Sequence, residues 1–245
     1  MRIIYGFHNI TASITSNPTL VEKIYINQNR TDKRQQELLQ LATSNNIPVE
    51  LVDAKKLDNL AGSRNNHQGV AANIQNPPEQ TLEHLLITIA NIPNAIILIL
   101  DGITDPQNLG AIIRTADCFG VSGIIIPRDN SASFDNDTVI KISSGAVNHL
   151  PLITVNNLNT AIDKLKQAEF WIAGTVISER AVSLCDFKHQ GKIAWVMGSE
   201  GTGIRRLIKE NCDYHVTIPM FGHTQSLNVS VATGVVLAHT KFNQQ

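Results

Sequence analysis

Residues 95–120 read AIILILDGITDPQNLGAIIRTADCFG, and this stretch decides the fold class. Ala95–Leu100 is a continuous apolar run of strand length, the pattern of a strand buried on both faces. The loop DGITDPQNLG follows, and then Leu109, Ile112, Ile113, Ala116 and Phe119 recur at the three-and-four spacing of a helix packed on a core, with Gly120 placed to stop it. Arg114 stands apart from that stripe, about 160° from the centre of its apolar face. Two readings of this arginine are open. It can pair with Asp117, three residues on, or it can serve something that approaches beside Gly110, a residue costing about 1 kcal/mol against alanine in a helix.

The same alternation continues toward the C-terminus. GIIIP, PLITV, FWIAGTV, IAWVM and YHVTIP read as buried strands, and NTAIDKLKQAE, GIRRLIKEN and NVSVATGVVLAHT as helices. The spacing predicts an α/β fold with a mostly parallel sheet covered on both faces. Toward the N-terminus, NPPEQ (76–80) is the candidate linker, because consecutive prolines continue neither a helix nor a central strand. Before it, KIYIN, RQQELLQLATSN, PVELV, AKKLDNLAG and GVAANI alternate as in a small α/β sandwich. The expected organisation is therefore a domain over 1–75, a linker with the lead-in helix EQTLEHLLITIAN over 76–94, and a second domain over 95–245.

Composition narrows the function classes. With 245 residues, 42% of them hydrophobic, the chain can fill a substantial core, and AIILIL is far too short to span a bilayer. The start MRIIYGFHNI lacks a signal-peptide pattern, so a cytoplasmic location is expected. Cys118, Cys185 and Cys212 are widely spaced without a CxxC pair, and the eight histidines show no HExxH, so reduced thiols and no metal site are expected. A net charge of −1 argues against a broad basic face, although residues 1–75 hold eight Lys/Arg against six Asp/Glu.

Ligands of parallel sheets sit at the carboxyl ends of strands, so three loops are candidates. After AIILIL, Asn108 is placed to cap the Arg114 helix. After IAWVM comes GSEGTGIR, whose glycines let a backbone approach a ligand closely, although G-x-x-G-x-G is not the dinucleotide order G-x-G-x-x-G. Glu200 inside it would repel a pyrophosphate and reads otherwise as a first-turn acid. After YHVTIP, Ser226 and Asn228 are good caps for the last helix, and Met220, Phe221 and Leu227 can wall a slot for a base such as adenine. His215 and His223 read as packing or surface residues.

NLGAIIRTADCFG, AWVMGSEGTGIR and IPMFGHTQSLNVSVATGVVLAH, in that order, closely resemble the three signature motifs of the SpoU-type (TrmH-like) RNA ribose 2′-O-methyltransferases of the SPOUT superfamily, over residues 96 to 240. YGFHNI and NHQGVAANI resemble the ribosomal-protein-like substrate-binding domain that many members carry. The resemblance implies a C-terminal trefoil knot, S-adenosylmethionine as cofactor, a homodimer, and 2′-O-methylation of a guanosine in 23S ribosomal RNA, naked or in an assembling large-subunit particle. A different ribosomal or transfer-RNA nucleotide is the alternative. By position, Arg114, Asn108, Glu200, Ser226 and Asn228 match the family's catalytic positions, and Gly198, Ile218, Met220 and Leu227 those around the cofactor. Arg30, Lys33, Arg34 and Arg64 are the candidate RNA contacts of the front domain.

Overall fold

A computed structural model describes residues 2–29, 31–62, 67–75, 80–178 and 180–244. The chain forms two compact units, Met1–Pro78 and Glu79–Gln245. The first unit runs β1 (Arg2–Tyr5), α1 (Phe7–Ser16), β2 (Val21–Asn27), α2 (Lys33–Ser44), β3 (Val49–Val52), α3 (Ala54–Ala61) and β4 (Val70–Ile74). Its sheet has the order β1-β4-β2-β3, with β2–β3 parallel and the other pairs antiparallel.

Strand alternation divides this unit's core. Ile24 and Ile26 of β2 pack with Ile10, Ile14 and Leu38 of the helices, whereas Tyr25 between them packs with Val52, Leu57 and Ala71. The sequence reading leaves β1 and α1 unassigned. The reason is visible in α1, FHNITASITS, whose Thr, Ser, Ile and Asn are weak helix formers. Burial of Phe7, Ile10 and Ile14, three and four residues apart, holds it in place.

The second unit runs α4 (Leu82–Thr88), β5 (Ile96–Asp101), α5 (Pro106–Cys118), β6 (Gly123–Pro127), α6 (Asp137–Ile142), β7 (Leu152–Val155), α7 (Leu158–Gln167), β8 (Trp171–Thr175), β9 (Val182–Ser183), β10 (Ile193–Gly198), α8 (Arg206–Glu210), β11 (Tyr214–Thr217) and α9 (Val229–Asn243). The sheet order is β7-β6-β5-β10-β8-β11-β9, and every adjacent pair is parallel, in agreement with the predicted α/β class. All six residues of β5 are buried. Its even-numbered residues, with Trp195 of β10, face α5 and α9, while Ile97 and Ile99 face α4 and α7. The buried indole of Trp195 donates to Thr240 Oγ1 of α9 at 3.0 Å.

Two expectations about α5 are corrected. Its cap is Asp105, which accepts from Gln107 N, so Asn108 lies inside the first turn with its side chain free for other partners. Gly110 does not clear space for a ligand. It is buried against α6, where an added Cβ would stand 2.8 Å from Ile142 Cβ and 3.1 Å from Val139 O. The six-residue α6 is too short to announce itself by periodicity, so the surface it covers looks open in the sequence. Gly120, at φ +61°, does end the helix: its N–H donates to Asp117 O and that of Val121 to Ala116 O.

Gly110→Ala tests this packing, because helix propensity and sterics oppose each other there. Intrinsic propensity favours alanine by about 1 kcal/mol. The 2.8 Å contact with a fixed Cβ predicts net destabilisation, by about 1–3 kcal/mol in denaturant unfolding. A gain in stability would show that α6 does not lie on α5.

Candidate active site

The carboxyl ends of β5 and β10 and the segment after β11 meet through one carboxylate. Glu200 Oε1 accepts from Asn108 Nδ2 at 3.1 Å, Asn228 Nδ2 at 2.5 Å and the Val229 main-chain N–H at 3.4 Å. Asn228 Nδ2 also reaches Asn108 Oδ1 at 2.8 Å, closing a triangle. Asn228 caps α9 as the sequence reading has it, its Oδ1 accepting from Ser230 N at 3.0 Å and Ser230 Oγ at 2.5 Å. Glu200 is not a first-turn acid of α8, which starts at Arg206. It faces the N-terminus of α9 instead, where a negative charge meets free N–H groups and the positive end of the helix dipole.

Beside this triangle lies an open cleft of ≈ 850 Å³, lined in part by Gly198, Glu200, Ile218, Met220, Ser226 and Leu227. Its size suits a nucleoside-sized ligand. The lining combines apolar walls with the hydroxyls of Thr175, Thr217 and Ser226 and the acceptor carboxylate of Glu200, a set that fits an adenosine carrying an amino-acid tail. Gly198 has a local reason to be glycine: a Cβ would fall 2.2 Å from Gly203 C, because the loop folds back on its own strand. Phe221 is corrected as a wall of the slot. It is 94% exposed and absent from the lining, whereas Met220 and Leu227 on either side of the loop line it.

Arg114 is exposed on α5, with no hydrogen bond or ion pair of its side chain among the described residues. The pair with Asp117 does not form. An arginine that precedes its acid by three residues is in the less favourable order, and Asp117 lies at the negative end of the helix. Neither Arg114 nor Asn108 belongs to the cleft lining.

Cys212 is excluded as a neutral-pH nucleophile, since burial, reinforced by neighbouring Asp213, pushes its thiol up to about 12. His215 is a packing residue, its Nε2 at 2.9 Å from Lys209 O, and His223 is exposed. Among the described residues no group of three His, Cys, Asp or Glu side chains is arranged to hold a metal ion, and no helix is long and apolar enough to cross a membrane.

In the first unit, Arg30 and Arg64 lie outside the described residues. Lys33 is 89% exposed, with Glu37 at 3.9 Å, and Arg34 is exposed. Sequence reasoning missed a second basic group. Lys23 and Lys56 both bind Glu50, at 2.8 and 2.5 Å, and both lie over the Tyr25 ring. Hydrogen bonds from the two lysines hold the Glu50 carboxyl down to about 2. It therefore stays ionised above that pH and occupies both ammonium groups.

The description "SpoU rRNA Methylase family" matches residues 95–238, and "RNA 2'-O ribose methyltransferase substrate binding" matches residues 3–80. The chain belongs to the SpoU rRNA methylase family. Within that family it is 44% identical over 243 residues to the 23S rRNA (guanosine-2'-O-)-methyltransferase RlmB of Neisseria meningitidis, covering 98% of this chain and 94% of that one. The protein of the same name from Pseudomonas aeruginosa is 42% identical, covering 96% and 93%. The SpoU methyltransferase AviRb from Streptomyces viridochromogenes, solved in complex with AdoMet, shares the fold with a TM-score of 0.81 at 23% identity, over 98% of this chain and 89% of that one. A TrmH/SpoU tRNA modifying enzyme of A. aeolicus matches with a TM-score of 0.55 at 26% identity, over 66% of this chain and 83% of that one.

Two outcomes check the site. Glu200→Ala removes the oxygen that accepts from Asn108, Asn228 and Val229, and is expected to cost about 1–2 kcal/mol in denaturant unfolding; an unchanged midpoint contradicts the triangle. In the folded protein at pH 8, a thiol reagent should modify the exposed Cys118 and Cys185 and leave Cys212 unmodified, with Cys212 reacting on unfolding. Equal rates for the three thiols would contradict its burial.

Proposed function

We propose that this protein is an S-adenosylmethionine-dependent methyltransferase that methylates the ribose 2′-hydroxyl of a specific guanosine in 23S ribosomal RNA. The observation that carries the reading is the meeting of three post-strand loops at Glu200, directly beside a nucleoside-sized cleft. Relatives named for this reaction match over nearly the whole chain. A transfer-RNA substrate fits less well, since the solved tRNA-modifying relative matches only 66% of this chain.

Ile218, Met220 and Leu227, with the main chain at Gly198, would hold the cofactor in the cleft. Bound there, S-adenosylmethionine supplies an electrophilic methyl group on a positively charged sulfur. The 2′-oxygen would gain negative charge as its proton leaves to water or to an RNA phosphate oxygen, and its new bond to the methyl carbon would replace the carbon–sulfur bond, releasing neutral S-adenosylhomocysteine. A guanidinium offers donors and no acceptor, so Arg114 stabilises that oxygen and holds the adjoining phosphate rather than removing the proton. The absence of any partner of Arg114 within the described chain keeps its donors available for RNA. Asn108, Ser226 and Asn228 orient the ribose, and Glu200 holds the two asparagines in place.

The first unit selects the RNA, since a 2′-hydroxyl is common to every nucleotide. Lys33 and Arg34 are its contacts among the described residues, with Arg30 and Arg64 proposed on sequence alone. Residues 1–75 are the RNA-binding domain, 76–94 the connection and 95–245 the catalytic domain. The active form is a cytoplasmic homodimer acting on 23S RNA or an assembling large subunit. A stripe of exposed apolar residues on α9, Val231, Val235 and Phe242, supports the dimer. The knot is proposed for the segment after β11, which returns to Glu200 before α9 packs on α5.

A strain lacking the gene should lose one 2′-O-methylguanosine from 23S RNA, mapped by primer extension at low deoxynucleotide. Wild type should restore it, and Arg114→Ala should bind cofactor normally yet transfer methyl about 10²–10³-fold more slowly. Unchanged ribosomal RNA in the deletion strain, or an active Arg114→Ala enzyme, would overturn this reading.

A further inference from the structure

Asp101, the last residue of β5, is a charged side chain that the mechanism above leaves unused. Its carboxylate has 0% exposure, and one residue occupies both oxygens: Oδ2 accepts the Arg205 main-chain N–H at 2.8 Å and Oδ1 accepts Arg205 Nε at 2.7 Å. Arg205 is the N-cap residue of α8 and closes the loop that leaves β10 at Gly198. Gly198 is paired in register with Asp101 itself. The two ends of the loop are thus tied to the same residue of the neighbouring strand, one through the sheet and one through the side chain.

Between those ends the loop is tightly folded. Gly203 N donates to Ser199 O at 2.9 Å, the hydroxyls of Ser199 and Thr202 are 2.7 Å apart, and the Gly203 main chain lies where a Cβ of Gly198 would be. Glu200 is carried inside this fold, at the position from which it reaches Asn108, Asn228 and α9. A buried carboxylate loses several kcal/mol of hydration. A neutral acceptor at position 101 would satisfy the single main-chain N–H, so the buried charge has a use only if the guanidinium is held as well.

We propose that Asp101 and Arg205 are a positioning pair for the reaction: by chelating Arg205, Asp101 fixes the loop that aims Glu200 and walls the cleft. The pair acts through geometry and not through the charge of Arg205. Its kinetic readout rests on the methyl transfer proposed above, whereas its structural readout does not.

The test uses the full chain with Arg205→Ala and Arg205→Lys, both of which keep the main-chain bond to Asp101, so that folding is retained where Asp101→Asn could lose it. Amide hydrogen exchange should accelerate at least tenfold at residues 199–205 and at Val229, with rates in β5 and α7 unchanged. Turnover should fall about ten- to hundredfold in both variants alike, with KM for RNA within threefold of wild type. If wild type itself does not methylate ribosomal RNA, the functional reading fails, and the exchange measurement still decides this proposal. Four results overturn it: local exchange as in wild type, exchange accelerated uniformly along the chain, near-normal turnover in Arg205→Lys, or a raised KM for RNA with turnover intact.

Discussion

The Glu200 carboxylate is the constraint on which the site depends. One oxygen collects donors from α5, from the last loop and from the first free N–H of α9, bringing together Asn108 and Asn228, 120 residues apart in the chain. Hydrogen bonds to a charged acceptor are about twice as strong as neutral ones, and a helix N-terminus adds a favourable dipole. Removing Glu200 would leave two asparagine amides facing each other with no shared acceptor.

The parallel sheet beneath explains why these elements can meet. β5 and β10 are adjacent and in register from Ile96↔Ile193 to Asp101↔Gly198, so their loops leave the sheet side by side. Trp195 then fixes the far end of α9 through Thr240, while Asn228 fixes its start. The last helix is thereby held at both ends against the strand whose loop carries Glu200.

The sheet was legible because its signal is continuous: Ile96–Leu100 and Ile193–Met197 are buried runs that match no amphipathic pattern. Asn108, Glu200 and Asn228 stand out through motif resemblance, but their juxtaposition does not, since Asn108 and Glu200 are 92 residues apart. The errors share a cause. Asn108 as a cap, Gly110 as open space and Asp117 as one possible partner of Arg114 are each readings made from one helix alone. Asp105, the unannounced α6 and the reversed order of charges decided otherwise. The Asp101–Arg205 pair left no trace in sequence, because an aspartate after a strand is also an ordinary turn residue.

The central claim, that Glu200 ties the three loops together beside a nucleoside cleft, is tested most directly by a crystal structure of the protein with S-adenosylhomocysteine. The account predicts the ligand in the cleft with its adenine against Ile218, Met220 and Leu227, and with Glu200 still bonded to Asn108 and Asn228. A ligand bound elsewhere on the sheet, or a Glu200 side chain turned away from both asparagines, would contradict it.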